Sequence, residues 1–130
     1  MEKKISVITS VFNGEKTIED TILSVLNQDY SNFELIIVDG LSKDSTIKIV
    51  QKYAETDTRI KIISEKDKGI YDAFNKGVLN SSGNIIMFVN ADDFLFPNTL
   101  TSINKNFDIQ NNHLFAGSLS MINEVDNYNK

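Results

Sequence analysis

Phe33-Glu-Leu-Ile-Ile-Val-Asp-Gly-Leu-Ser-Lys-Asp-Ser-Thr46 is the stretch whose reading decides the fold. Its first six residues are almost continuously apolar and rich in β-branched side chains, the composition of a strand covered on both faces in a parallel sheet. Asp39 to Ser45 then reads as a polar turn, with Asp44 or Ser45 placed to cap a helix whose apolar residues are Ile47, Ile49, Val50 and Tyr53. A buried strand, a polar turn and an amphipathic helix in that order form one unit of an α/β sheet.

The unit recurs in both directions. Apolar runs at Ile5-Ser-Val-Ile8, Ile60-Lys-Ile-Ile63 and Ile85-Ile-Met-Phe-Val89 alternate with helical spacing at Ile18, Ile22, Leu23 and Leu26 and at Ile70, Ala73, Phe74 and Val78. The run at 85–89, like that at 33–38, is apolar enough to predict burial on both faces. Pro97, tolerated in a first helical turn, precedes Thr99, Leu100, Ile103 and Phe107 and predicts a fourth helix. A weaker run from Leu114 to Ile122 predicts a fifth strand, and Asp126 to Lys130 are polar enough to fray. The expected fold class is α/β, a mostly parallel sheet flanked by helices. With no repeat or linker in 130 residues, one domain is expected over residues 1–130.

Composition narrows the partners. A net charge of −5 with a single arginine, Arg59, argues against a nucleic-acid footprint, because phosphate backbones require clustered cations. An anionic ligand remains compatible if a divalent metal held by carboxylates supplies the positive charge. The absence of cysteine removes disulfides, thiolate metal sites and a cysteine nucleophile. No apolar stretch approaches the length of a membrane span and the N-terminus does not read as a signal peptide, so the expected location is cytoplasmic.

In open parallel α/β sheets ligands bind outside the carboxyl ends of the strands. Just past the four runs lie Thr9, Ser10 and Asn13; Asp39, Ser42 and Asp44; Glu65 to Lys68; and Asn90, Asp92 and Asp93. Asn90-Ala-Asp-Asp93 is the sharpest of these sets, since two carboxylates at a strand end are ready oxygen ligands for Mg²⁺ or Mn²⁺, which also take diphosphate oxygens. A turn cap before Pro97 is the bland alternative for an isolated Asp-Asp pair, and the converging neighbours favour the ligand site. Asp39 can accept hydrogen bonds from a base or ribose or can serve its turn, Asp44 can be purely structural, and Phe12 can stack on a base or belong to the core. His113, the only histidine, is given no role.

Missing motifs discriminate as well. The turn after the first strand has one glycine and no G-x-G-x-x-G, which disfavours a dinucleotide oxidoreductase. There is no P-loop motif and no G-x-S-x-G elbow, which removes P-loop NTPases and α/β hydrolases.

Four blocks together resemble family 2 of the glycosyltransferases: Ile5-Ser-Val-Ile-Thr-Ser-Val-Phe-Asn-Gly14, Glu34 to Thr46, Asp67-Lys-Gly-Ile-Tyr-Asp-Ala-Phe-Asn-Lys-Gly77 and Ser82-Gly-Asn-Ile-Ile-Met-Phe-Val-Asn-Ala-Asp-Asp93. The resemblance implies a Rossmann-like GT-A fold, here its nucleotide-sugar-binding portion, and an inverting transfer from a nucleoside diphosphate sugar to an acceptor hydroxyl. It implies donor-binding roles for Ser10 and Phe12 beside the base, Asp39 hydrogen-bonding the base, Asn75 facing the donor and Asp92 near the ribose. Asp93, with Asp92, would hold Mn²⁺ or Mg²⁺. The implied donor leans to a UDP-sugar, the acceptor to a saccharide or lipid-linked molecule, and the setting to cell-surface polysaccharide synthesis at the inner face of the membrane. Asn90 stands where the family pattern has the first Asp of D-x-D, and Phe74 where many relatives carry an arginine, leaving Lys66, Lys68, Lys76 or the metal to neutralise phosphate. The family's catalytic base falls in a region expected beyond residue 130, Glu124 and Asp126 being too close to the metal block. The alternatives are a non-catalytic nucleotide-sugar-binding module and, more weakly, a sugar nucleotidyltransferase, whose Gly-rich, Arg-containing segment Thr9 to Lys16 lacks.

Overall fold

The computed structural model describes residues 2–107. The predicted strand at 114–122, His113, Glu124 and Asp126 lie outside the described residues. The elements are β1 (Ile5–Val11), α1 (Ile18–Leu26), β2 (Phe33–Asp39), α2 (Thr46–Ala54), β3 (Ile60–Ser64), α3 (Ile70–Leu79), β4 (Ile85–Phe88) and α4 (Thr99–Asn106). The strands form one parallel sheet in the order β3-β2-β1-β4. The α/β reading therefore stands, with every predicted strand and helix up to residue 107 present.

β2 is buried at all seven positions because both of its faces are covered. On one face Ile5, Val7 and Val11 of β1 and Leu35 and Ile37 of β2 pack with Ile18, Ile22 and Val25 of α1, Val50 of α2 and Leu100 and Ile103 of α4. The other face is smaller: Ile8, Ile36 and Val38 meet Ala73 of α3. That helix lies unusually close, since a Cβ on Gly77 would stand 2.4 Å from Ile8 Cγ2. Glycine is what lets α3 seat against β1.

Two expectations need correction. The run at 85–89 does not make a strand buried on both faces: Ile86 is 40% and Phe88 47% exposed. Among the described residues β4 is the edge of the sheet, and α3 covers β1 and β2 more than β4, which it meets through the Phe74 ring, its centroid 4.3 Å from that of Phe88. Pro97 also lies ahead of α4 rather than within its first turn, because Asn98 is the N-cap.

At the end of the sheet opposite the ligand-binding edge, β2 carries one charged residue into the interior. Glu34 is 2% exposed and accepts hydrogen bonds from the Ser6 hydroxyl (2.7 Å), Lys61 Nζ (2.8 Å) and the Ser82 backbone N–H (2.7 Å). The Ser82 hydroxyl lies within 3.0 Å, and Lys4 Nζ at 3.5 Å adds a second cation. Burial pushes its pKa up, but the Lys61 ammonium and the Ser82 and Ser6 donors outweigh this and hold it at about 2. One carboxylate thus ties β2 to β1, β3 and the turn that leads into β4.

Candidate functional site

The strand order changes direction at β1: β2 and β3 extend to one side and β4 to the other. At such a switch point the loops leaving adjacent strands diverge and leave a crevice at the carboxyl edge. A cleft of about 570 Å³ opens there. Its walls are Ser10, Val11, Phe12, Asn13 and Gly14 after β1, Asn90, Ala91 and Asp92 after β4, and Asp67, Gly69, Ile70 and Ala73 around the start of α3, with Thr17.

The β1 and β2 loops are bonded to each other and form a stiff wall. Asn13, with φ of 51°, receives the chain in the left-handed region that Asn tolerates better than most residues. Its N–H donates to Ser42 Oγ (2.7 Å), and its Oδ1 accepts from the Lys43 N–H (2.8 Å). Asp44 accepts from the backbone and hydroxyl of Thr46 and from the Glu15 N–H, while Glu15 accepts from the Ser45 N–H. Burial alone would raise the Asp44 pKa, and these donors reverse that and lower it. Asp44 therefore joins the two loops and holds Thr46 at the start of α2, whose N-cap position is Ser45, the structural side of the two readings left open for it.

On the other side of the cleft, α1 holds the turn that carries the acidic pair. Thr21 Oγ is within 2.8 Å of the Ala91 carbonyl and 2.6 Å of the Asp93 carbonyl. Ser24 Oγ accepts from the Leu95 N–H, and Gln28 donates to the Phe96 carbonyl and accepts from the Leu100 N–H. Thr21, Ser24 and Gln28 stand three and four apart, on one stripe of the helix. Sequence reading found only the apolar stripe of α1 and missed this seam; its signal was three polar residues at helical spacing next to that stripe.

The seam presents Asp92 and Asp93 without compensating charge. Neither carboxylate has a hydrogen bond or ion pair with a described residue. Burial, and then the neighbouring charge of Asp92, raise the Asp93 pKa above the ordinary aspartate value. Beside them the Asn90 amide oxygen is buried and has no donor. Among the described residues no three His, Cys, Asp or Glu side chains cluster as a complete metal cage. The pair therefore fits a cation that takes its remaining oxygens from a ligand or water, the usual habit of Mg²⁺.

The other expected site residues fall unevenly. Ser10 and Phe12 line the cleft, and the Phe12 ring is 60% exposed, which places it at the wall and not in the core. Asp39 is fully buried and does not line the cleft; its carboxylate accepts from the Ser42 N–H and hydroxyl and from the Ser64 hydroxyl at 2.9 Å. Asn75 is exposed on α3 and is not a lining residue. Lys76 is engaged by Glu65 (3.3 Å), Asp72 (3.5 Å) and the Lys66 carbonyl. Asp67 lines the cleft although sequence reading gave it no role. No helix among the described residues is long and apolar enough to cross a membrane.

Comparison with known proteins points one way. Residues 6–130 match the family model described as Glycosyl transferase family 2. Glycosyltransferase GlyA of Streptococcus pneumoniae is 30% identical over 126 residues, covering 97% of this chain and 18% of GlyA. TuaG of Bacillus subtilis, assigned to teichuronic acid biosynthesis, is 40% identical over 90 residues, covering 68% of this chain and 36% of TuaG. Among solved structures, S. aureus TarS 1-349 in complex with UDP-GlcNAc superposes with a TM-score of 0.72 at 31% identity, over 76% of this chain and 29% of that one. The mannosyltransferase PcManGT from Pyrobaculum calidifontis, in complex with GDP-Man and Mn²⁺, gives 0.71 at 27% identity, over 80% and 31%. The chain thus spans well under half the length of these relatives.

Proposed function

The chain belongs to glycosyl transferase family 2 and has the GT-A fold, and from that premise we propose that its carboxyl-edge cleft is the donor site of an inverting, metal-dependent sugar transferase. The observation that carries this reading is the uncompensated Asp92–Asp93 pair: Asp92 lines the switch-point cleft, Asp93 follows it in the same turn, and Thr21 holds that turn through the Ala91 and Asp93 carbonyls. Partial burial and the neighbouring charge of Asp92 both disfavour the ionised Asp93 carboxyl, and a bound divalent ion would offset that.

In this reading the base of a nucleoside diphosphate sugar stacks on Phe12 beside Ser10. The ribose lies towards Asp92, and the diphosphate reaches Asp93. UDP-sugars are favoured because TarS was solved with UDP-GlcNAc, although PcManGT was solved with GDP-Man. Asp39 shapes the base end by holding Ser42 and Ser64; its own hydrogen bond to a base requires one of those donors to swing away. Asn75 faces a donor only if the sugar extends past the start of α3.

Asp92 and Asp93 would hold Mn²⁺ or Mg²⁺, which when bound stabilises the negative charge that gathers on the departing diphosphate. Phe12 and Ser10 fix the base, so the anomeric carbon is presented in one orientation. Phe74, a phenyl group where many relatives carry an arginine, contributes no charge, and its ring packs against that of Phe88. The base that deprotonates a saccharide or lipid-linked acceptor is assigned to a region after residue 130, and the reaction to cell-surface polysaccharide synthesis at the cytoplasmic side of the membrane. The likeness to TuaG supports that setting.

Asp93→Asn is expected to abolish the metal-dependent part of UDP binding and to leave the melting temperature of the free protein within a degree or two, because the carboxylate bonds to no described residue. Calorimetric titration of UDP with Mn²⁺ and with EDTA measures both parts. A variant as metal-dependent as the parent chain would move the cation away from this pair.

A further inference from the structure

The Asp92 and Asp93 carboxylates bond to no described residue, so the backbone beneath them is what directs them. That backbone is held at three successive peptides. The Ala91 and Asp93 carbonyls face the Thr21 hydroxyl at 2.8 Å and 2.6 Å, and between them the Asp93 N–H donates to the Asn90 carbonyl at 3.0 Å. Each peptide unit is planar, so a held carbonyl restrains its whole plane, and the φ and ψ of Asp92 and Asp93 are the soft backbone dihedrals between the first plane and the third. One side chain on α1 therefore limits the directions in which both carboxylates leave the chain.

The helix does not need this hydroxyl for itself. Thr21 is 1% exposed, and its backbone N–H already bonds to the Thr17 carbonyl. A threonine in a helix commonly turns its hydroxyl to the carbonyl four residues back, but here that oxygen is 3.4 Å away, farther than both carbonyls of the acidic turn. The single hydroxyl proton is thus committed to the turn after β4. Ser24 and Gln28, further along the same stripe, bond to Leu95, Phe96 and Leu100, beyond the two aspartates. Within the seam, Thr21 is the residue that meets the peptides flanking Asp92 and Asp93.

We propose that Thr21 is a positioning residue of the donor site, whose hydroxyl sets the affinity for the divalent ion, and for the diphosphate that comes with it, by fixing the turn that carries the acidic pair. This inference rests on the donor-site reading above. A cation shared by two carboxylates depends on the distance and angle between them, and Mg²⁺ in particular demands near-octahedral geometry. With no side-chain partner of their own, Asp92 and Asp93 would lose that relation if the turn relaxed.

The test is calorimetric titration of the chain with UDP, in Mn²⁺ and in EDTA, for the parent, Thr21→Val and Thr21→Ser, with thermal unfolding of each free protein. Valine keeps the size and branching of threonine without the hydroxyl, and serine keeps the hydroxyl. Thr21→Val should weaken UDP binding in Mn²⁺ by about 10- to 100-fold, the span for groups that orient metal ligands, while binding in EDTA stays within about threefold of the parent. Thr21→Ser should stay within about threefold of the parent in both conditions. A hydroxyl that serves stability alone would lower the melting temperature of Thr21→Val and leave its gain from Mn²⁺ as in the parent. That result, or equal losses in Thr21→Val and Thr21→Ser, would overturn the role of Thr21 and leave the donor site standing. If Thr21→Val does not fold, Thr21→Ala, smaller and also without the hydroxyl, carries the same comparison. Failure of both to fold would make the hydroxyl a determinant of the fold and overturn its role in placing the pair. A parent chain that gains no UDP affinity from Mn²⁺ would overturn the donor-site reading and this inference together.

Discussion

Glu34→Ala is expected to remove about 3 kcal/mol of folding stability, a large part of the ~5–15 kcal/mol that holds a domain of this size. The donors from Ser6, Ser82 and Lys61 converge on one buried carboxylate, and its loss leaves the Ser6 hydroxyl and the Ser82 N–H without an acceptor. The same magnitude follows from its titration. A carboxyl moved from 4.5 to about 2 stabilises the native state at neutral pH by about 3 kcal/mol. The sign follows from the depressed folded-state value: the contribution is complete above the unfolded pKa of about 4.5 and is lost as pH falls through about 2. Urea unfolding of the parent and of Glu34→Gln between pH 7 and pH 2 should therefore give curves that converge on acidification. Parallel curves, or a Glu34→Ala variant within 1 kcal/mol of the parent, would show that the network contributes little.

On the proposal that the base lies after residue 130, transfer by residues 1–130 alone is expected to be slower by about 10²–10⁴-fold than transfer by a chain extended through the region that follows the match in its relatives, the range attributed to a positioned general base. The relatives extend well beyond the matched region, which makes up 18% of GlyA and 36% of TuaG. Among the described residues, Asp67 and Asp92 are the carboxylates that line the cleft; Asp92 is assigned to the donor, and Asp67 accepts from the Gly69 N–H. Release of UDP from UDP-sugars with mixed acceptors, for the short and the extended chains side by side, measures the difference. Equal rates would place the base within residues 1–130.

Much of the architecture was legible because burial on both faces removes the polar alternation that a half-covered strand shows. The run at 33–38 therefore announced a central parallel strand, and the helices announced themselves by apolar residues three and four apart. The run at 85–89 misled for the same reason. Ile86 and Phe88 are as apolar as β2, and their exposure depends on which element lies beside β4, a long-range fact absent from the local pattern. Asp92 and Asp93 could be picked out because they follow a strand and sit within the fourth of the family's blocks.

Polar contacts across the fold were far less legible. Thr21 and Gln28 serve carbonyls at Ala91, Asp93 and Phe96, about seventy positions away, and nothing in the composition of α1 signals those partners. Asp39 was recognisable as the last residue of a strand, but its commitment to Ser42 and Ser64 appears only once β2 and β3 are paired. Glu34 lay inside an apolar run, and its partners come from β1, β3 and the turn before β4.

Thermal unfolding of the parent chain with UDP, in the presence and absence of Mn²⁺, tests the donor site most directly, because a ligand that binds only the native state raises the melting temperature. The expected result is a clear rise with UDP and Mn²⁺ together, exceeding the shift with UDP or Mn²⁺ alone, since the diphosphate approaches Asp92 and Asp93 only with a cation between them. Equal shifts with and without the metal, or none in either case, would contradict the assignment of this cleft as a metal-dependent nucleotide-sugar site.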